Sequence, residues 1–155
     1  MHPLFSMIVE TLETSDYDFD VSEAHQTIRI RVEGDTIHWT TYLRVLPREQ
    51  IVIYSKPDIQ VPEPKRLIMA EFLTRANFGI VVGNFEMDFE DGEVRFKTSI
   101  DSSGEVFSST ILVNLLNGNL ANTNCYLPGV MGVAFGDLSA IAALNACEPI
   151  AEDAP

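Results

Sequence analysis

The chain has 155 residues, 46% hydrophobic and 21% charged, enough apolar material for one domain with a sizeable core. With 23 acidic against 10 basic residues it carries a net charge of −13, which disfavours nucleic acid and anionic membrane surfaces as partners. Two cysteines, Cys125 and Cys147, do not make a disulfide framework and read as small buried residues of a reducing, cytoplasmic protein, and no basic stretch opens a secretory signal.

Leu4, Phe5, Ile8, Val9 and Leu12 share one helical stripe, so residues 3–14 read as a helix with Pro3 in its first turn. Residues 15–20 read as an acidic connector. Asp16, Asp18 and Asp20 imitate the opening of an EF-hand loop, but Val21 stands where that loop needs glycine and Thr27 where it needs a bidentate glutamate, so calcium is not expected. A hairpin follows. Ile28, Ile30 and Val32 alternate with Thr27, Arg29 and Arg31, and Ile37, Trp39, Thr41, Leu43 and Val45 continue the apolar face beyond Gly34-Asp35. A two-residue turn there pairs Val32 with Ile37 and Ile30 with Trp39. Residues 51–54 read as a short third strand, and residues 55–64, with Pro57, Pro62 and Pro64, as a loop. Residues 65–78 read as a second helix burying Leu67, Ile68, Phe72, Leu73 and Ala76, with Gly79 expected to end it in the left-handed conformation.

After the apolar run Ile80-Val81-Val82 comes the densest charge in the chain. Phe85, Met87 and Phe89 alternate with Glu86, Asp88 and Glu90, then Val94, Phe96, Thr98 and Ile100 alternate with Glu93, Arg95, Lys97 and Ser99. A two-residue turn at Asp91-Gly92 pairs Phe89 with Val94, Met87 with Phe96 and Phe85 with Thr98, and sets Asp88 against Arg95 and Glu86 against Lys97. One face becomes the floor of the core and the other a solvated, self-paired surface. Ser102 and Glu105 have capping-box spacing ahead of a helix over 105–121, whose stripe is Ile111, Leu112, Leu115, Leu116 and Leu120. Asn122-Thr123-Asn124 is expected to interrupt it before a last helix over 125–146, so that residues 1–147 form a single α+β domain of about five strands and residues 148–155 an acidic flexible tail.

The stretch 125–147 holds one charge, Asp137, placed near its middle; that acid, the missing basic flank and the dilution by glycine and alanine exclude a membrane span. Gly132 and Gly136 make a smooth patch where another backbone can come close, either within the chain or across a dimer. Tyr126, Leu127, Gly129, Gly132 and Gly136 are accordingly the candidate partner or dimer contacts.

A catalytic set does not assemble. His2, His25 and His38 are scattered, and neither a Gly-x-Ser-x-Gly elbow nor a phosphate-binding glycine loop occurs. Cysteine and histidine spacing does not suit zinc. Glu86, Asp88, Glu90, Asp91 and Glu93 could present an acidic patch to a metal or small ligand, but Arg95 and Lys97 offset it. The expectation is therefore no catalytic, metal or cofactor residue.

The runs Leu73-Thr74-Arg75-Ala76-Asn77-Phe78-Gly79, Gly83-Asn84-Phe85-Glu86-Met87-Asp88 and Asp91-Gly92-Glu93-Val94-Arg95-Phe96-Lys97, together with Tyr126-Leu127-Pro128-Gly129-Val130-Met131, resemble the signature of YbjN-domain proteins, a resemblance spanning about residues 5–146. It implies a curved antiparallel sheet packed against helices, similar to type III secretion chaperones, in a homodimeric, non-enzymatic bacterial protein. The implied role is regulatory or chaperone-like binding of another polypeptide, with a metal- or metabolite-responsive regulator as the alternative. The family has no established molecular activity and supplies no catalytic residue to carry over.

Overall fold

The computed structural model describes residues 2–148, so the acidic tail expected over 148–155 lies, apart from Glu148, outside the described residues. Helix α1 (Pro3–Glu13) begins as its sequence dictates: proline sits at the first turn, where its missing N–H is not needed, and His2 Nδ1 accepts the Leu4 N–H at 3.3 Å. Its buried residues are Phe5, Ile8 and Leu12. The acidic connector is in part a strand, β1 (Asp18–Ser22), and the remaining strands are β2 (Thr27–Val32), β3 (Trp39–Leu46), β4 (Gln50–Pro57), β5 (Asn84–Met87) and β6 (Val94–Asp101). They form one open antiparallel sheet of six strands rather than five, in the order β1-β2-β3-β4-β6-β5. Helices α2 (Arg66–Gly79), α3 (Ser109–Ala134) and α4 (Ala140–Cys147) complete the chain.

Both hairpins keep the faces expected of them and shift in register by two residues. Val32 pairs with Trp39 and Ile30 with Thr41, which leaves a loop over 33–38 instead of a two-residue turn. The ring of Trp39 decides this. It lies over Gly34 so closely that a Cβ there would come within 2.2 Å of Cζ3. The loop is also gripped from α3, where Asn124 accepts from the Asp35 N–H at 2.9 Å and donates to its carboxylate at 2.7 Å. In the second hairpin Phe85 pairs with Phe96 and Met87 with Val94, leaving a loop over 88–93. Asp88 and Asp91 organise it by accepting from the N–H groups of Glu90 and Glu93. Gly92 is at φ +80° and its carbonyl accepts from Val61 N–H at 2.8 Å, an approach any side chain would obstruct. Arg66 donates to the carbonyls of Phe89 and Glu90. Phe89, expected on the core floor, is carried out with this loop and is 52% exposed.

The helical third also departs from expectation. Asn122-Thr123-Asn124 does not break the chain, and α3 runs unbroken for 26 residues with Pro128 inside it. Thr123 and Asn122 donate to the carbonyls of Asn119 and Gly118 one turn back, so their polar groups are satisfied by the helix itself. Ser108, not Ser102, caps the N-terminus by accepting from Ile111 N–H, while Ser102 is buried and donates to the Glu49 carbonyl. Ile111, assigned to the buried stripe, is 40% exposed. Gly79 closes α2 without a left-handed turn, and Ile80 beyond it is extended.

At ~1.5 Å per residue α3 is about 39 Å long, enough to cross the whole inner face of the sheet. Its first half packs Leu112, Leu115 and Leu116 against α1 and the β2–β4 residues Ile28, Ile30, Leu43 and Ile53. Its second half packs Tyr126, Leu127, Val130 and Val133 against α2, α4, Phe85 and Phe96. Between these two apolar clusters lies a buried polar seam. Asn119 Nδ2 donates to the Ile53 carbonyl at 3.0 Å and to Thr98 at 3.2 Å, Thr41 bonds Ser55 at 2.7 Å, and Trp39 Nε1 donates to Thr41 at 3.0 Å. Each of these bonds removes the desolvation penalty of a polar group that the sheet would otherwise bury bare.

Candidate functional site

The five candidate contact residues sit at the closure of α2, α3 and α4. Tyr126 and Leu127 are buried. The Tyr126 ring meets Phe85 edge-on at 5.7 Å and its hydroxyl donates to the Glu148 carboxylate. Burial, and then that carboxylate, push the phenol well above its ordinary range. A Cβ at Gly129 would lie 2.4 Å from Phe72 Cζ and 2.8 Å from Cys147 Sγ. At Gly132 it would lie 2.4 Å from Leu138 Cδ1, and at Gly136 2.8 Å from the Gly132 carbonyl oxygen. The close approach that the glycines permit is thus used within the chain, by Phe72 of α2, by α4 and by the α3–α4 turn. Of the five, Gly132 is half-buried and Gly136 exposed.

The acidic hairpin presents a cleft of about 400 Å³ lined by Glu86, Met87, Asp88, Phe89, Glu93 and Arg95. Its carboxylates are engaged. Glu86 accepts from Arg95 at 2.8 Å and from Lys97, Glu93 pairs with Lys56, and Asp88 holds its own loop. Partial burial raises the Glu86 carboxyl, but the hydrogen bonds and charges of Lys97 and Arg95 outweigh it and hold the group below the usual range. Arg95 also lies over the Tyr54 ring at 4.2 Å. The direct cross-strand partner of Glu86 is Arg95, with Lys97 on the diagonal, and the expected Asp88–Arg95 pair does not form. Among the described residues no group of three or more His, Cys, Asp or Glu could hold a metal ion. His2 caps α1, His25 lies in the turn after β1 and His38 in the loop over 33–38, so the three imidazoles belong to separate elements.

The surface that sequence reasoning missed lies on α2 and the segment after it. Phe78 is 97% exposed, Val81 96%, Leu67 78% and Val82 51%. Leu67 and Phe78 are eleven residues apart, about 20° around the helix axis, so they mark two ends of one outward stripe. Glu71 and Arg75 lie between them as an ion pair at 2.8 Å. A signal for this was present. Met69, Phe72, Leu73 and Ala76 already make a complete inward stripe, and Leu67 stands about 160° away from Met69. Residues 80–82 are outside the strand, which begins at Asn84. Next to this surface the edge of β5 is capped at Phe85. The Asn77 carboxamide accepts the Phe85 N–H at 2.7 Å and donates to the Phe85 carbonyl at 3.1 Å, standing in for a neighbouring strand.

Three comparisons bear on this arrangement. The YbjN family model, described as "Putative bacterial sensory transduction regulator", matches residues 5–115. The match takes in the sheet, α2 and the start of α3, and stops short of the run Tyr126–Met131. No curated protein matches the sequence. Among solved structures, the crystal structure of YbjN from E. coli, "a putative transcription regulator", is similar with a TM-score of 0.57 at 9% identity, covering 92% of this chain and 89% of that one. The HopA1-SchA chaperone-effector complex gives a TM-score of 0.44 at 21% identity over 76% of this chain and 85% of the other. The first likeness bears on the fold alone, and it agrees with the helix, strand and helix order described above. The family match extends over most of the sequence, and the chain belongs to the YbjN family.

Proposed function

We propose that this chain is a non-enzymatic regulatory or chaperone-like protein of the cytoplasm that binds another polypeptide, acting as a homodimer, and that α2 with residues 78–82 is the contact surface. The observation that carries this reading is the outward placement of Leu67, Phe78, Val81 and Val82. Covering such a side chain gains ~1.5–3 kcal/mol each, while leaving it in water gains nothing for the fold. The family description, a sensory transduction regulator, agrees in kind with a binding role. The experiment is a Phe78→Ser, Val81→Ser double variant compared with the native chain for solution mass and for recovery of co-purifying protein from the source cell. Native protein is expected at twice the 17.2 kDa chain mass with a defined partner, and the double variant at unchanged thermal stability but with recovery lowered about tenfold or more. Equal mass and equal recovery for the two proteins would overturn the reading.

A second reading uses the 400 Å³ cleft beside Glu86 as a small-ligand or cation sensor. Thermal unfolding with divalent cations and common metabolites separates the two, since a ligand of that cleft raises the midpoint in the Phe78, Val81 variant as in the native chain.

A further inference from the structure

Cys125 and Cys147 meet at the contact between α3 and α4. The Cys125 thiol donates to the Cys147 carbonyl oxygen at 3.6 Å, and the Cys147 thiol donates to the carbonyl of Tyr126, the residue after Cys125, at 3.7 Å. Gly129 lies one helical turn beyond Cys125 on the same face of α3, and the Cys147 sulfur rests on it, 2.8 Å from where a Cβ would stand. Neighbouring sites on such a face are about 5–6 Å apart, so Cys125 stands about one turn from the Cys147 sulfur. A disulfide requires the two Cβ atoms to come within about 3.5–4.5 Å, by rotation of the two side chains together with any shift of the last turn of α4 that this demands. Cys125 is open to solvent and Cys147 is 8% exposed, which separates an entry thiol from a resolving one.

We propose that Cys125 and Cys147 form a reversible intramolecular disulfide that fastens the last turn of α4 to α3, with a low-molecular-weight disulfide of the glutathione type as oxidant. The Cys125 thiolate attacks one sulfur of the small disulfide, forming a mixed disulfide and releasing one small thiolate. The Cys147 thiolate then attacks the Cys125 sulfur, the protein disulfide forms, and the second small thiolate leaves. Two cysteine thiols are oxidised, one small disulfide is reduced to two thiols, and the two cysteine protons pass to the departing thiolates. Burial pushes both cysteine thiols up, so the exchange accelerates as the medium becomes alkaline. The fastened corner is where Glu148 meets Tyr126 and lies 3.8 Å from the Cβ position of Gly79, one residue from exposed Phe78.

The test treats the native chain with oxidised glutathione at about pH 8.5 and reads intact mass and free thiols. Expected are a monomer lighter by about 2 Da, loss of both alkylatable thiols, reversal by dithiothreitol, and a thermal midpoint raised by about 5 °C. The Cys147→Ser variant is expected instead to accumulate the glutathione adduct at Cys125, since its resolving thiol is gone, and Cys125→Ser to stay unmodified. A persistent adduct on the native chain, a cross-linked dimer, two unreacted thiols, or a Cys147→Ser chain that accumulates no adduct would each overturn the proposal.

Discussion

The two ends of the sheet are finished differently. At the β1 end, among the described residues, no strand or side-chain amide bonds the outer edge of Asp18–Ser22, and the strand is held by its backbone pairing with β2 and by cross-strand ion pairs. Arg29 reaches Asp20 at 2.8 Å, and Arg31 reaches both Asp18 and Asp20. At the β5 end Asn77 caps the edge at Phe85, and the apolar exposure lies just beyond it on Phe78, Val81 and Val82. Acidic side chains at alternate positions discourage strand-to-strand association where the backbone is left open. A carboxamide plug at the other end pairs the Phe85 backbone nearest the exposed apolar groups, so that rung is not offered to another strand. The difference teaches that edge protection and surface stickiness are set separately, one by backbone hydrogen bonds and the other by side chains.

The largest effect that bears on this contrast comes from the cores beneath the two ends. Phe72 is fully buried against Gly129 on the β5 side and Phe5 is fully buried on the β1 side. Each change to alanine should lower stability by ~3–5 kcal/mol in urea unfolding. Because α3 and the Asn119 seam join both clusters, amide exchange is expected to accelerate at both ends in either variant; acceleration confined to one end would divide the molecule into two units. A smaller effect is expected for Asn77→Ala. The Phe85 N–H and C=O lose their partners, stability falls by ~1–3 kcal/mol, and light scattering detects concentration-dependent association through the opened edge. An Asn77→Ala chain as stable and as monodisperse as the native one would erase the difference between the edges.

The smallest effect concerns charge, where the two ends agree. Glu86 and Asp20 are both held below the usual carboxylate range, Asp20 first by the hydrogen bond from Arg29. The folded value of Glu86 is depressed from an ordinary 4.5, so its contribution is fully present above about pH 4.5 and declines as pH falls through the lower folded value. With solvent screening, Glu86→Gln should remove less than ~1 kcal/mol near neutrality and flatten the acid limb of a stability–pH curve. A curve superimposable on the native one would show that the pair with Arg95 and Lys97 adds nothing to stability.

Much of the fold was legible because it rests on local rules. The stripe of α1 and its proline start are confirmed by the burial of Phe5, Ile8 and Leu12. Trp39, Phe85, Val94 and Phe96 occupy the core face as alternation requires. The errors are equally specific. Two-residue turns were expected at Gly34-Asp35 and Asp91-Gly92, and both loops are longer. A shift of two residues conserves the face of every side chain, so the pattern that placed Trp39 correctly could not detect it. β1 was obscured because its outward residues are aspartates, which are poor strand formers on their own, and their arginine partners lie on another strand. The candidate site was less legible still. Leu67 and Val81 are apolar residues facing water, and Gly129 is a small residue facing a phenylalanine ring.

What the sequence alone determined is the first two helices, strands β2 to β6 in their order, the face each of these strands turns inward, the self-pairing of charge on the main hairpin and the family. These follow from periodicity, turn chemistry and residue type along short stretches. Tertiary structure decided the rest: the register of both hairpins, the continuity of α3 through Asn122-Thr123-Asn124, the inward use of Gly129 and Gly132, and the plug at β5. For the two hairpin loops and for Gly129 the deciding partner is remote in the chain. Asn124 holds the loop at Asp35, Val61 and Arg66 hold the loop at Gly92, and Phe72 takes the space that Gly129 leaves. A period-two or period-3.6 pattern carries no information about such partners, because many pairings satisfy it equally and only packing selects one.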